Sequence, residues 1–256
     1  MQEFNDAKKE KIKSILLMPI ECEKTLNNSK EIKIKDGKIY SSQKYYSNSD
    51  EDMCDFAIGF YEILYSSILD NGKILLDDGT IKNCCFAGDT MNSFNKIANL
   101  VTAAGKTVKA RTDEEKWPKW LREYKNYYHC LANFWILPTC IGRRSLKLNY
   151  YDSMDIFLEK LKNDNLNVLR KNVSYYQKVS TYEKFTRIHI LNSYENIDAK
   201  KTRKQYKQRK AEDLVKQAKA RIEQRAQEII EVKDDEYHYN LLSKLWEYFK
   251  IENLIK

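Results

Sequence analysis

Residues 198–231, DAKKTRKQYKQRKAEDLVKQAKARIEQRAQEIIE, decide the fold class. Ala211, Leu214, Ala218, Ile222, Ala226 and Ile229 recur there at steps of three and four. That spacing predicts one long basic helix from about Asp198 to Glu231, docked by a narrow edge and wet elsewhere. The same stretch holds most of the chain's charge. Between Lys200 and Ile230 stand eleven Lys/Arg against four Asp/Glu, a net of +7 out of a chain total of +8. A concentrated basic strip is the electrostatic footprint of an anionic partner such as nucleic acid. It is also what a solvated helix face looks like when acidic surface balances it elsewhere.

The 256 residues are 42% hydrophobic and 32% charged, with only seven glycines and three prolines. Few turn glycines argue against an all-β sandwich or a dinucleotide-binding fold and for a mainly α chain, read here as a single domain over 1–256. No apolar run nears the ~18 residues of a membrane span, and the N-terminal MQEFND has no apolar signal region. A cytoplasmic protein with no membrane partner is expected. The six cysteines, at positions 22, 54, 84, 85, 130 and 140, form no C-x-x-C pair, so free thiols are expected and neither a metal nor a cofactor. Gly105-Lys106-Thr107 lacks the earlier glycine of a phosphate-binding loop and reads as a helix end.

Other helices are predicted at about 4–17, ended by Pro19, and at 51–69, 151–162, 181–192 and 237–251. Asp36-Gly37 and Asp77-Asp78-Gly79, each between short apolar runs, predict one or two short β-hairpins in the N-terminal third. From Gly88 onward the pattern reads as almost wholly helical. Asp89 or Thr90 would cap a helix carrying Met91, Phe94 and Ile97. Thr112 and Glu115 form a capping box for the next, with Pro118 inside it and Leu131–Pro138 buried beyond.

Two constellations carry possible chemistry. Arg122 and His129, seven apart, would share one helix face, where His moves a proton and Arg holds a phosphate, as in helical ribonucleases of the HEPN class. Asp89, Thr90, Asn92 and Ser93 are a dense polar block, and His129 and Asn133 are four apart beside the most apolar stretch. These residues form either a network satisfying a buried Asn or a pocket where a helix N-terminus with Arg143 and Arg144 receives a phosphate.

The blocks Phe86–Phe94 (FAGDTMNSF) and Tyr128–Pro138 (YHCLANFWILP) resemble a pair of blocks in a bacterial family of unknown function. Ala132–Leu137 and Arg221–Ala226 are more distantly similar to the end of HNH-type nuclease domains of modification-dependent restriction systems. No His–Asn–His set precedes them and Ala132 stands at the usual glycine, so that likeness implies no metal centre. It does imply a setting in bacterial defence. The reading that follows is a nucleic-acid-associated protein contacting its partner through Lys204, Lys207, Arg209, Lys210, Lys216 and Arg221. Two alternatives stand beside it: a phosphodiesterase or ribonuclease using His129 with Arg122 or Arg143, and a protein–protein interaction module.

Overall fold

The computed structural model describes residues 4–23, 32–42, 51–72, 86–101, 114–139, 153–194 and 198–255. The chain is mainly helical. Among the described residues there are ten α-helices and two small sheets. The first helix, α1 (Asp6–Leu16), is capped by the Asn5 side chain on the Lys8 amide at 3.0 Å and stops ahead of Pro19, as its sequence predicts. Strands β1 (Ile20–Glu23), β2 (Ile32–Lys35) and β3 (Lys38–Ser42) make the first sheet, with β3 central, parallel to β1 and antiparallel to β2. The predicted hairpin at Asp36-Gly37 is the β2–β3 turn. Both residues take positive φ, 50° and 71°, the backbone that a tight hairpin turn demands. The second predicted hairpin, around Asp77–Gly79, lies outside the described residues.

Helix α2 (Asp55–Leu64) leads to β4 (Phe86–Thr90), α3 (Phe94–Val101), α4 (Lys119–Lys125) and β5 (Phe134–Pro138). Here the near-continuous helix expected after Gly88 is corrected. Asp89 and Thr90 do not cap a helix; they lie in β4, antiparallel to β5, opposite Trp135 and Phe134. Leu131–Pro138 is buried as expected, but its last five residues form a strand. Its apolar run is too short for periodicity to separate a strand from a buried helix. Pro118 precedes α4 instead of kinking it, because it has no N–H to give to a preceding turn.

The remaining helices are α5 (Met154–Asn163), α6 (Val173–Lys178), α7 (Tyr182–Ile188), α8 (Ala199–Lys207), α9 (Ala211–Glu231) and α10 (Leu241–Ile251). The single helix predicted over 198–231 is therefore two. Arg209 breaks it with φ 55°, a left-handed conformation no L-residue holds within a helix. The apolar stripe of α9 is buried as read, but Val215, Arg225 and Ile230 widen it. Far from lying wet, α9 is the spine, packing against α1, α3, α4 and α8. One apolar cluster runs from Ile12 to Ile255 through all these elements.

Gly88 shows how tightly β4 is seated. A Cβ there would strike the Asp52 carbonyl and come within 2.8 Å of the Met53 sulfur. Gly88→Ala should lower stability by about 1–3 kcal/mol, the cost of overpacking a rigid backbone contact. Urea unfolding measures it, and an unchanged midpoint would refute the close approach.

Candidate functional site

The two polar blocks do meet. Asn133, fully buried, accepts from the Asn92 backbone N–H at 3.0 Å and from the Asn92 side-chain amide at 2.9 Å. It donates to the carbonyls of Tyr128 at 2.7 Å and Asn92 at 3.2 Å. Asn92 also donates to the Tyr194 hydroxyl at 2.9 Å, and the Tyr124 hydroxyl donates to the Asn92 carbonyl at 3.0 Å. Every hydrogen-bonding position of the Asn133 amide is thus filled by protein. This network extends the β4–β5 pairing and is structural. Ser93, half-buried, faces a small cleft with Ser153, Asp155, Thr202, Gln217 and Arg221. Arg143 and Arg144 lie outside the described residues.

The Arg122–His129 pair does not form. Helix α4 ends at Lys125, so the two side chains share no helix face, and Arg122 is exposed. His129 meets Glu51 instead, with Nδ1 3.2 Å from the carboxylate. Burial pushes its imidazole down to about 3. The cysteines at 84, 85 and 140 lie outside the described residues, among which no group of three His, Cys, Asp or Glu side chains converges. No described helix is long and apolar enough to cross a membrane.

The basic strip is sorted by burial. Two of its arginines were not legible as core. Arg225 is fully buried: Nη1 donates to the carbonyls of Ala132 at 2.9 Å and Phe134 at 2.7 Å. Nε and Nη2 donate to the His189 carbonyl at 3.2 and 3.1 Å, and Nη2 also reaches the Tyr65 hydroxyl at 3.3 Å. All five N–H donors are used, with no carboxylate among the acceptors. Tyr65 then touches His189 Nδ1 at 3.2 Å, and Tyr175 touches Nε2 at 2.9 Å. A neutral imidazole has one N–H and one lone pair, so one tyrosine donates to the ring and the other accepts. Burial holds the Tyr65 hydroxyl up at about 12 despite the guanidinium beside it.

Arg221, expected on the nucleic-acid face, is also committed. It pairs with Asp155, whose side chain is fully buried, and stacks over the Tyr194 ring at 5.1 Å. Thr202 donates to the other Asp155 oxygen at 2.5 Å. Arg203 is held by Glu159, and Arg209, though exposed, gives its guanidinium to the Leu100 carbonyl in the last turn of α3. Lys216 pairs with Glu212 one turn away at 2.9 Å. Of the six residues predicted to face nucleic acid, Lys204, Lys207 and Lys210 stay exposed without such a partner among the described residues.

What remains open is α8 and the turn after it. Residues 199–210 carry seven Lys/Arg and no acid, whereas 211–230 balance four against four. Ala199, Thr202 and Tyr206 turn inward. Lys200, Lys204 and Lys207, at steps of four and three, share the outer face, with Lys201 and Lys210 exposed beside them.

Arg225→Met keeps the length and removes the donors. It should cost on the order of 3 kcal/mol or more, since each buried acceptor left unpaired costs about 1–3 kcal/mol. A chemical-denaturation midpoint near that of the parent would refute the clamp.

The three histidines predict an acid limit. Burial lowers His129 to about 3 and also lowers His189 and His238. A folded pKa beneath the unfolded ~6.5 means the unfolded chain binds more protons, so stability is complete above about pH 6.5 and falls as the pH drops below it. Each such histidine removes about 1.4 kcal/mol per pH unit inside its window, which for His129 extends toward pH 3. Melting temperatures at pH 7.5, 6.0 and 5.0 should fall steadily, and His189→Gln should make the slope shallower. A flat profile from 7.5 to 5.0 would count against neutral buried imidazoles.

The chain matches no protein-family model, no curated protein and no solved structure.

Proposed function

We propose that the protein associates with nucleic acid through the outer face of α8. The observation behind this reading is the lysine-rich surface there: five exposed lysines within residues 199–210, with no acid in that run. Such a surface repels itself and gains by meeting phosphates, which release condensed counterions when lysines replace them. The same chemistry draws the partner in from a distance. The arginines and the other lysine first assigned to this face serve the fold or a local ion pair, so of that set Lys204, Lys207 and Lys210 are kept, and the exposed Lys200 and Lys201 join them. A place in bacterial defence is part of this proposal only through the likeness of Ala132–Leu137 and Arg221–Ala226 to nuclease domains. An acidic protein partner is the alternative that remains if the duplex does not bind.

Fluorescence anisotropy with a labelled DNA duplex, titrated between 50 and 200 mM salt, tests the reading. The triple variant Lys200→Ala, Lys204→Ala, Lys207→Ala should weaken binding and reduce the log–log salt slope by about 2.7, at about 0.9 per lost contact. Its melting temperature should stay close to the parent's, because exposed lysines away from special features contribute within about 0.5 kcal/mol each. Binding that ignores salt, or that the triple variant leaves intact, would remove the proposal.

A further inference from the structure

We infer that the partner is a double helix held by its phosphate backbone, with its base sequence unread; this rests on the nucleic-acid reading above. The first argument is which cations are left. Within α8 and its following turn, both guanidiniums are occupied, Arg203 by Glu159 and Arg209 by the Leu100 carbonyl. Arg209 is exposed but tied by its fork to that carbonyl; the other exposed charges are lysines, compact point charges that meet phosphates without a fixed fork. Base edges are read chiefly by paired donors and acceptors on arginine, asparagine or glutamine. Gln208 alone on that face carries an exposed amide, at the C-cap just past the helix. One amide can favour one base pair; it cannot specify a site.

The second argument is the absence of a stacking platform. The single aromatic residue of α8, Tyr206, is 5% exposed and belongs to the core cluster. Single strands are bound tightly where unstacked bases lie on exposed rings, and α8 offers none. A single strand would keep the charge attraction and lose the stacking.

The third argument is geometric. Thr202 is bonded to Asp155, Arg203 to Glu159, and Arg209 to α3, so α8 is fixed against the body and presents one side only. A helix is about 10–12 Å across with its side chains, close to the ~12 Å width of the B-form major groove. Held by its inner face, α8 cannot bury its girth there. It can lie over the groove, where Lys200 to Lys207 span about 10.5 Å at 1.5 Å per residue. Lysines at the two ends then reach the backbones on both sides, a pair of phosphate rows that a single strand lacks.

Competition anisotropy with the full chain tests this, using two 20-base-pair DNA duplexes of unrelated sequence, a 20-nucleotide oligo-dT strand, and a 20-base-pair RNA duplex. The two DNA duplexes should agree within about threefold, and oligo-dT should bind at least about tenfold more weakly. The RNA duplex should still bind, because backbone charge is common to both, but more weakly than DNA, because its narrow A-form major groove does not match the lysine span. A tenfold or greater preference between the DNA duplexes, an oligo-dT affinity equal to theirs, or refusal of the RNA duplex would overturn the inference while leaving nucleic-acid association standing. No binding to any of the four would instead overturn the association itself. Lys204→Ala should weaken all four probes by a similar factor; a loss confined to one DNA sequence would show base reading and overturn the inference.

Discussion

The guanidinium of Arg225 is the constraint around which the rest is arranged. A fully buried positive charge is tolerated only when its donors are all met. Here they are met by carbonyls and one hydroxyl, drawn from the turn before β5 and the start of that strand, the C-terminal end of α7 and the side chain at the end of α2. The α7 end suits it, since the last carbonyls of a helix carry the negative pole of its dipole. Any sliding of α9 past these elements would strand a donor in a medium that cannot replace it. The chain of contacts onward through Tyr65, His189 and Tyr175 spreads the same requirement to α6, so four helices and a strand share one register.

Two smaller polar ties repeat the principle at either side of the spine. Asn133 and Asn92 lock β5 to the end of β4 and draw in Tyr124 of α4 and Tyr194. Asp155 and Arg221 lock α5 to α9, and Thr202 brings α8 onto the same carboxylate. Arginine and lysine are divided accordingly. Arg221 and Arg225 point inward, where a planar fork of fixed donors meets several acceptors at once; the lysines of α8, more strongly hydrated, stay in water. The surface charge is therefore concentrated on a short helix that three side-chain bonds hold still.

Some of this was legible in the residues. Asp36-Gly37 marked its hairpin because two successive positive φ values suit few residue pairs. Pro19 marked the end of α1, and the stripe from Ala211 to Ile229 marked the buried edge of α9. Other features left no local sign. Nothing between Lys207 and Ala211 is a glycine or proline, yet the chain turns there, with Arg209 in the left-handed region and its guanidinium on α3. The strands β4 and β5 are separated by 43 residues, and neither alternates apolar and polar residues in a way that declares a partner. The seven-residue spacing of Arg122 and His129 puts both on one face only of a continuous helix; α4 ends at Lys125, and His129 meets Glu51.

By itself the sequence determined the helical class, the position of several helix ends and the location of the charge excess, since each depends on residues close together along the chain. Which of the eleven basic side chains in that excess belong to the surface was decided only in three dimensions. The partners of Arg225 lie 36 to 160 positions away, and those of Arg221 and Arg209 lie 66 and 109 away. A charged side chain in isolation favours water, and only acceptors converging from distant elements can reverse that preference. Burial follows from what faces a residue across the core, and local spacing carries no record of it.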